Sequence, residues 1–404
     1  MNKKQISFSP PDIREEDITN VIDALKSGWI TTGPKVKQFE KELTAFMECD
    51  GVVALNSCTA ALELTLHFLG IGPGDEVIVP AYTYTASASP VCHVGAKPVF
   101  IDVQKDSLQM DLKALEAAIT EKTKAIVPVD LAGHMENYDE IFKIVEEKKD
   151  LFKPSNDRQK ALGRIAIAAD CAHSLGAVSK GRKAGSVADF STFSFHAVKN
   201  LTTAEGGCAS WRKGLPWPHE EIYKEFQLLS LHGQSKDALA KNKPGAWEYD
   251  IVMPGYKCNM TDIQAGLGLS QLKRYDEIEA RRHSICARYD KAFVEDLGLR
   301  SLKHDGPDFK SSAHLYLLRL NFHDVEKRNE FIIKMAERGV ACNVHYKPLP
   351  MMTAYKNMGY KMEDYPNAYN YYIDEVTLPL HTLLSDEDVD YIIESVGEVV
   401  KELS

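Results

Sequence analysis

Residues 189–207 of this 404-residue chain read DFSTFSFHAVKNLTTAEGG. The run 190–195 is rich in aromatic and hydroxyl-bearing residues, and a short run of this kind predicts a buried strand. Lys199 follows the end of that strand, and a pair of glycines then turns the backbone into a second short strand over 208–211. Burial disfavours the ammonium form of a lysine, so its amine can become a nucleophile towards an aldehyde. A surface lysine after a core strand is the commoner alternative.

A second stretch, residues 165–173, reads IAIAADCAH. An apolar run that ends in a carboxylate predicts a buried parallel strand with Asp170 at its C-terminal end. Ligands of open α/β sheets bind outside the carboxyl ends of the strands. Pyridoxal phosphate needs a lysine for its aldehyde and a carboxylate for its pyridinium nitrogen. Asp170 and Lys199 together predict that cofactor, although Asp170 alone could equally be a capping residue or a magnesium ligand.

These two stretches resemble the DegT/StrS family of nucleotide-sugar aminotransferases, which depend on pyridoxal phosphate and have fold-type I. The resemblance recurs in three further segments: SGWITTGPKVKQFE at 27–40, PGYKCNMTDIQAGLGLSQL at 254–272 and HYKPLP at 345–350. It therefore covers nearly the whole chain. It implies an α/β fold, with a largely parallel mixed sheet flanked by helices and a smaller C-terminal α+β domain.

The resemblance also implies a reaction. Pyridoxal phosphate is the expected cofactor, glutamate the expected amino donor, and a keto-sugar attached to a nucleotide the expected acceptor. The expected role is in the synthesis of cell-surface polysaccharide or related amino sugars. Lys199 is the expected catalytic residue, because it would hold the cofactor and then move a proton between the substrate carbon and the cofactor.

The segment NSCTAAL at 56–62 follows a predicted strand over 52–55 and opens a helix. The first amides of a helix are unsatisfied and its dipole end is positive, so this turn predicts an anion site. Ser57 or Thr59 could instead simply cap the helix. The resemblance places the cofactor phosphate at the amides of Thr59 and Ala60, with the Ser194 hydroxyl as another donor.

Three more binding residues are implied by the resemblance: Tyr84, His173 and Asn259. Tyr84 follows a strand end and would stack on the pyridine ring, with Tyr82 as the near alternative; from the residues alone, a core or rim tyrosine is the simpler interpretation. His173 would lie close to the ring, unless a backbone group satisfies it. Asn259 would reach the phosphate of the neighbouring subunit, which implies a homodimer with shared active sites. Without the resemblance, Asn259 is only a turn residue before a helix.

Three other functions share parts of this pattern. Sugar dehydratases of the same family carry histidine in place of the lysine, so Lys199 argues against them. A cofactor-binding regulator that has lost turnover would be marked by damage to Lys199 or Asp170; both are present, yet an intact site does not prove activity. A dinucleotide-dependent dehydrogenase needs a GxGxxG turn between a strand and a helix, and NSCTAAL is not one.

Alternating strand and helix patterns in the first half predict a large cofactor-binding domain over 1–255. A small domain over 256–404 includes a long connecting helix predicted at 262–295 and a strand predicted at 340–344. The loop 235–256 is predicted to join the two segments.

The composition limits the partners and the compartment. The net charge of −10 argues against nucleic-acid binding, which depends on basic patches. No apolar run approaches the ~20 residues of a membrane span, and the N-terminus lacks the apolar core of a signal peptide. Eight cysteines without CxxC pairs are typical of reduced thiols, and they predict a cytoplasmic protein without a metal site or a disulfide framework.

Overall fold

The computed structural model describes residues 4–236 and 248–404. Its strands, in chain order, are β1 (Gly51–Leu55), β2 (Glu76–Pro80), β3 (Lys97–Ile101), β4 (Thr123–Ile126), β5 (Ala166–Asp170), β6 (Val178–Ser179), β7 (Arg182–Lys183), β8 (Phe190–Ser194), β9 (Gly207–Trp211), β10 (Asp305–Gly306), β11 (Phe309–Lys310), β12 (Tyr316–Arg319) and β13 (Glu375–Leu378). Its α-helices are α1 (Glu15–Lys26), α2 (Pro34–Met47), α3 (Cys58–Phe68), α4 (Ser89–His93), α5 (Leu112–Ala118), α6 (Tyr138–Glu147), α7 (Asp157–Leu162), α8 (His219–Ser230), α9 (Asp262–Lys273), α10 (Tyr275–Tyr289), α11 (Val325–Glu337), α12 (Thr353–Asn357), α13 (Pro366–Tyr372) and α14 (Asp386–Leu403).

The largest sheet has seven strands in the order β1-β9-β8-β5-β4-β2-β3. The five strands from β8 to β3 pair in parallel, and β9 runs antiparallel to both β1 and β8. The predicted α/β fold with a largely parallel mixed sheet is therefore confirmed. Parallel pairing of β5 with β8 brings their carboxyl ends to the same edge, with Asp170 opposite Thr192.

The sheet is buried on both faces, which explains its nearly continuous apolar strands. Alternate residues of β1 point into two separate cores: Val53 and Leu55 into one, Val52 and Ala54 into the other. Helices α3 and α8 cover the first face, and α2 and α9 cover the second. The carboxyl edge of the sheet is left for a ligand.

A third core lies in the C-terminal part of the chain. It combines α10, α11 and α14 with the antiparallel pair β12 and β13, and it also takes in Ile6 from the N-terminal segment. Helix α9, in contrast, packs into the core of the large sheet. The domain boundary between residues 255 and 256 stays a prediction.

Two predicted elements of the C-terminal part are wrong. The helix expected over 262–295 is broken at Arg274 into α9 and α10, and it ends in a π-helical turn over Asp290–Asp296. The guanidinium of Arg274 donates to the Asp12 carbonyl and the Asp17 carboxylate, so side-chain contacts with the N-terminal segment coincide with the break. The strand expected over 340–344 makes single bridges to two different partners, Ile6 and Thr377, and so forms no ladder.

Of the predicted joining loop 235–256, residues 237–247 lie outside the described residues. In the described part of the chain, every helix is too short or too polar to cross a lipid bilayer.

Candidate active site

A cavity of about 360 Å³ opens at the carboxyl ends of β5 and β8. Six of the eight predicted cofactor-binding residues line it, namely Thr59, Tyr84, Asp170, His173, Ser194 and Lys199. They come from four separate segments of the chain. The fold therefore brings the predicted amine and the predicted carboxylate to one cavity.

Lys199 lies in the turn that follows β8, where its backbone N–H donates to the His196 carbonyl at 2.9 Å. Burial lowers the pKa of the Lys199 amine to about 8, against the opposing effect of the Asp170 carboxylate. Desolvation therefore outweighs the nearby negative charge. A larger share of this amine is neutral, and hence nucleophilic, than of an ordinary lysine.

Asp170 is the last residue of β5, and its carboxylate is buried. The Ser87 hydroxyl donates to Oδ2 at 2.6 Å, and the Ala172 N–H donates to Oδ1 at 3.1 Å. The Cys58 thiol lies 3.8 Å from Oδ1. Ser87 is in turn hydrogen-bonded to Thr83, at 2.8 Å between the hydroxyl oxygens. These contacts fix the orientation of the carboxylate before any ligand binds.

The predicted anion site is the N-terminus of α3. Ser57 caps this helix, with its hydroxyl accepting from the Ala60 N–H at 3.1 Å, so one of the alternatives weighed from the sequence holds. Thr59 lines the cavity, whereas Ala60 is not among the residues that line it. Ser194 accepts a hydrogen bond from the His196 N–H at 3.3 Å. The phosphate-binding roles of Thr59, Ala60 and Ser194 stay predictions.

Two tyrosines follow β2, and they differ sharply in exposure. Tyr84 lines the cavity and is 57% exposed, with its ring centroid 5.5 Å from that of Tyr346. Tyr82 is 1% exposed and packs edge-on against Tyr371. Tyr84 is thus the one placed where it could stack on a ligand, and its stacking role stays a prediction.

His173 is buried in the cavity wall. Its Nδ1 accepts the Ala132 N–H at 3.2 Å, and its Nε2 lies 3.3 Å from the Tyr346 hydroxyl. Burial, together with the charge of Lys199, holds the pKa of His173 well below its ordinary value. The imidazole is therefore neutral. His173 therefore lines the cavity and is also satisfied by a backbone group, and its expected position close to the cofactor ring stays a prediction.

Asn259 does not line this cavity within the single chain. Its side-chain amide donates to the Thr32 hydroxyl at 2.6 Å and its oxygen accepts from Lys257, while its backbone forms a bridge to Leu55. The expected reach of Asn259 into a neighbouring subunit stays a prediction.

A second cavity of about 340 Å³ lies beyond Val129 and Leu131, which line both cavities. Its wall carries Lys180, Lys303 and Lys310, but neither of the residues that predict the cofactor. Lys180 and Lys310 are already paired with carboxylates, those of Asp139 and Glu279.

The cavity at β5 and β8 fits pyridoxal phosphate. It combines an amine of lowered pKa, a fixed carboxylate, a helix N-terminus and an exposed aromatic ring around one space. A family model described as the DegT/DnrJ/EryC1/StrS aminotransferase family matches residues 11–397. The chain belongs to this family. It is accordingly an aminotransferase of fold-type I, and its cofactor is pyridoxal phosphate.

Relatives of this aminotransferase match it from end to end. The spore coat polysaccharide biosynthesis protein SpsC of Bacillus subtilis is 42% identical, over 98% of this chain and 97% of that protein. The UDP-4-amino-4-deoxy-L-arabinose–oxoglutarate aminotransferase of Shewanella sediminis is 32% identical, over 99% of each. Two solved structures of Spr1654 of Streptococcus pneumoniae, which carries the designation of a sugar aminotransferase, are similar to this chain. Its PMP-form has a TM-score of 0.96 and 56% identity, and its PLP-form has 0.95 and 54%, each covering 99% of this chain and 100% of that one.

Two residues beside the cavity contact predicted site residues and were missed by sequence reasoning. Ser87 holds the Asp170 carboxylate, and Tyr346 contacts His173. Tyr346 belongs to the HYKPLP segment, which carried a resemblance but no role. Ser87 lies among the hydroxyl residues after β2, and that clustering near a strand end was the available signal.

The arrangement divides the chemistry among the side chains. When bound, pyridoxal phosphate supplies an aldehyde that combines with amines and a protonated ring that withdraws electrons. Lys199 is the amine available to that aldehyde, and its lowered pKa would also suit it to accept and return a proton near neutral pH. Asp170 is the carboxylate available to keep the ring nitrogen protonated. The N-terminus of α3 is the site available to the phosphate.

Proposed function

We propose that this aminotransferase transfers the amino group of glutamate to the keto group of a sugar attached to a nucleotide. The reaction serves the synthesis of cell-surface polysaccharide or a related amino sugar, in the cytoplasm. The observation that carries the proposal is the joint placement of Lys199 and Asp170 in one cavity of a chain of this family.

The names of the relatives support the substrate classes. SpsC is named for spore coat polysaccharide synthesis, and Spr1654 as a sugar aminotransferase. The Shewanella relative is named for a UDP-linked amino sugar and oxoglutarate, the keto acid that corresponds to glutamate. A nucleotide-linked acceptor and a glutamate donor are therefore the first pair to test.

The charges of the cavity support a site shared between two subunits. In residues 4–236 and 248–404, Lys199 is the one lysine or arginine that lines it. A nucleotide diphosphate and the carboxylates of glutamate each need cations or N–H donors. We infer that a partner subunit supplies some of them, as expected for Asn259.

Helix α1 supports the same homodimer. Its buried residues are Asp17 and Ala24, while Ile18, Ile22 and Leu25 are 45%, 39% and 52% exposed on the other side. These three recur at helical spacing and form an apolar face on a helix whose other face packs against α9. An exposed apolar face of this kind marks an interaction surface.

We expect the wild type to sediment as a dimer and the double variant Ile22→Glu/Leu25→Glu to sediment as a monomer of reduced activity. Ile333→Glu is the matched control, because Ile333 is 60% exposed on the distant helix α11. A monomeric wild type, or a double variant that stays dimeric, would contradict this interface.

The role of Lys199 is tested with Lys199→Ala. We expect the visible absorbance of the lysine-linked cofactor to disappear, and both the deamination of glutamate and the amination of the sugar to be lost. The control is Lys303→Ala, since Lys303 lines the second cavity. Turnover retained by Lys199→Ala would rule out the assignment.

The acceptor is tested with a panel of keto-sugars, each offered free and linked to uridine or thymidine diphosphate. The protein is first converted to its pyridoxamine phosphate form with glutamate. We expect the visible cofactor absorbance to return only with nucleotide-linked sugars. Equal rates with the free sugars would overturn the nucleotide requirement.

A further inference from the structure

The hydrogen bonds around His173 determine where its single ring proton lies. The Ala132 N–H can only donate, so Nδ1 of His173 must be the acceptor at 3.2 Å. The neutral ring then carries its proton on Nε2. Nε2–H donates to the Tyr346 oxygen at 3.3 Å, and the Tyr346 hydroxyl proton is left for another partner.

The opposite arrangement, with Tyr346 donating to His173, is excluded by the backbone. It would place a proton on Nδ1 and set two N–H groups against each other. Ala132 cannot turn away, because its carbonyl accepts the His314 N–H at 3.3 Å and the adjacent Gly133 carbonyl accepts the Ser312 N–H at 3.2 Å. The Ser312 hydroxyl also donates to the His173 carbonyl, which ties the His173 backbone to the same segment that holds Ala132.

A doubly protonated His173 is excluded for the same geometric reason. Burial and the positive charge of Lys199 also lower the pKa of His173. His314, whose ring centroid lies 4.3 Å from that of His173, is buried and has a lowered pKa as well. His173 and its neighbour His314 are therefore both neutral beside the Tyr346 contact.

Tyr346 is placed to use its free proton in the cavity. It lines the same cavity as the Asp170 carboxylate and packs its ring against Tyr84. Burial and the nearby Asp170 charge raise the pKa of Tyr346, so its hydroxyl stays protonated in the physiological range.

We propose that Tyr346 is a hydrogen-bond donor of the active site, directed by His173 and Ala132 towards an oxygen of the bound cofactor or of the keto substrate. Tyr346 acts on the ligand, and His173 is a positioning residue. The proposal rests on the family's cofactor and not on the sugar or the donor proposed above.

The first experiment uses Tyr346→Phe loaded with pyridoxal phosphate alone. This change removes one oxygen and keeps the ring against Tyr84. If the donor serves an anionic oxygen of the cofactor, its loss makes the anion less stable, so the pH midpoint of the visible absorbance change rises by about one unit. Tyr369→Phe, at an exposed tyrosine outside the cavity, should titrate as the wild type does.

The second experiment distinguishes the substrate oxygen from the cofactor oxygen. The pyridoxamine phosphate form is mixed with the keto acid of whichever amino acid the wild type deaminates. If Tyr346 serves the substrate carbonyl, Tyr346→Phe leaves the pH midpoint unchanged and slows this half-reaction at least about tenfold. If Tyr346→Phe matches the wild type in both the midpoint and this rate, the proposal is wrong.

The positioning role of His173 is tested by two replacements. Gln in place of His173 keeps a side-chain N–H that can donate to the Tyr346 oxygen, whereas Phe has none. We expect His173→Phe to reproduce whichever change Tyr346→Phe shows, and His173→Gln to restore part of it. A His173→Gln variant no better than His173→Phe would contradict the orienting hydrogen bond.

Discussion

Burial and nearby charges together set the pKa of the Lys199 amine. Three histidines, His173, His314 and His345, have pKa values lowered by burial, and the charge of Lys199 contributes to each. All three rings are therefore neutral and add no positive charge beside the amine. Asp170 is the carboxylate that favours the charged amine, and burial outweighs it.

This balance predicts the pH dependence of cofactor loading. The pKa of Lys199 is lowered to about 8, and only the neutral amine attacks an aldehyde. The rate at which the cofactor-free protein combines with pyridoxal phosphate should therefore rise about tenfold per pH unit below 8 and level off above it. Stopped-flow absorbance measures this rate. Asp170→Asn should lower the midpoint, because it removes the charge that favours the ammonium form; a midpoint near 10 in the wild type would contradict the lowered pKa.

At the scale of single elements, the close approach of β9 to α3 shapes the anion site. Gly207 is paired with both Leu55 and Ser194, at the strand ends beside the cavity. A Cβ on Gly207 would lie 2.3 Å from the Cys58 nitrogen and 2.6 Å from the Phe193 carbonyl oxygen. Both are backbone atoms, so they cannot rotate away as a side chain would.

Two glycine-to-alanine changes should therefore have opposite effects. Gly207→Ala should lower the free energy of unfolding by several kcal/mol and weaken pyridoxal phosphate binding, because it displaces the first turn of α3. Gly397→Ala should raise that free energy by about 0.5–1 kcal/mol, since Gly397 lies in α14 with open space around it. Urea denaturation measures the free energy of unfolding of both variants, and cofactor titration measures the weaker binding expected for Gly207→Ala. Equal effects of the two changes would contradict the close approach.

The elements also show where sequence patterns suffice. The residues that identify β5 and β8 are neighbours in the sequence: an apolar run ends at Asp170, and a strand pattern precedes Lys199. Both strands could therefore be predicted. The partners of His173 could not, because Ala132 and Tyr346 are 41 and 173 residues away in the chain. The apolar residues of α1 recur at helical spacing, but spacing alone does not reveal that Ile18, Ile22 and Leu25 face outward.

At the scale of the whole molecule, buried acids link stability to pH. Glu136 and Glu375 are almost fully buried, and burial raises the pKa of each to about 8; Glu279 is raised to about 7. Their neighbours come from distant parts of the chain, as when the Met110 N–H donates to Glu136. No local pattern predicts such shifts, because they depend on how the elements pack.

The sign of the effect follows from proton binding. An unfolded glutamate loses its proton near pH 4.5, whereas these folded ones keep theirs to about 7 or 8. The folded state therefore binds more protons across that window, and the free energy of unfolding falls as the pH rises through it. Buried histidines act oppositely, but only below their ordinary value of 6.5.

We therefore expect the cofactor-free protein to lose stability between pH 6.5 and 8. Each acid with a pKa near 8 contributes at most about 1.4 kcal/mol per pH unit. Urea denaturation at fixed protein concentration measures the slope. Glu136→Gln keeps an oxygen for the Met110 N–H but has no proton to lose, so its slope should be shallower than that of the wild type, while Glu394→Gln at the surface should leave the slope unchanged. A wild type whose unfolding free energy is constant or rises over this range would contradict the raised pKa values of the buried acids.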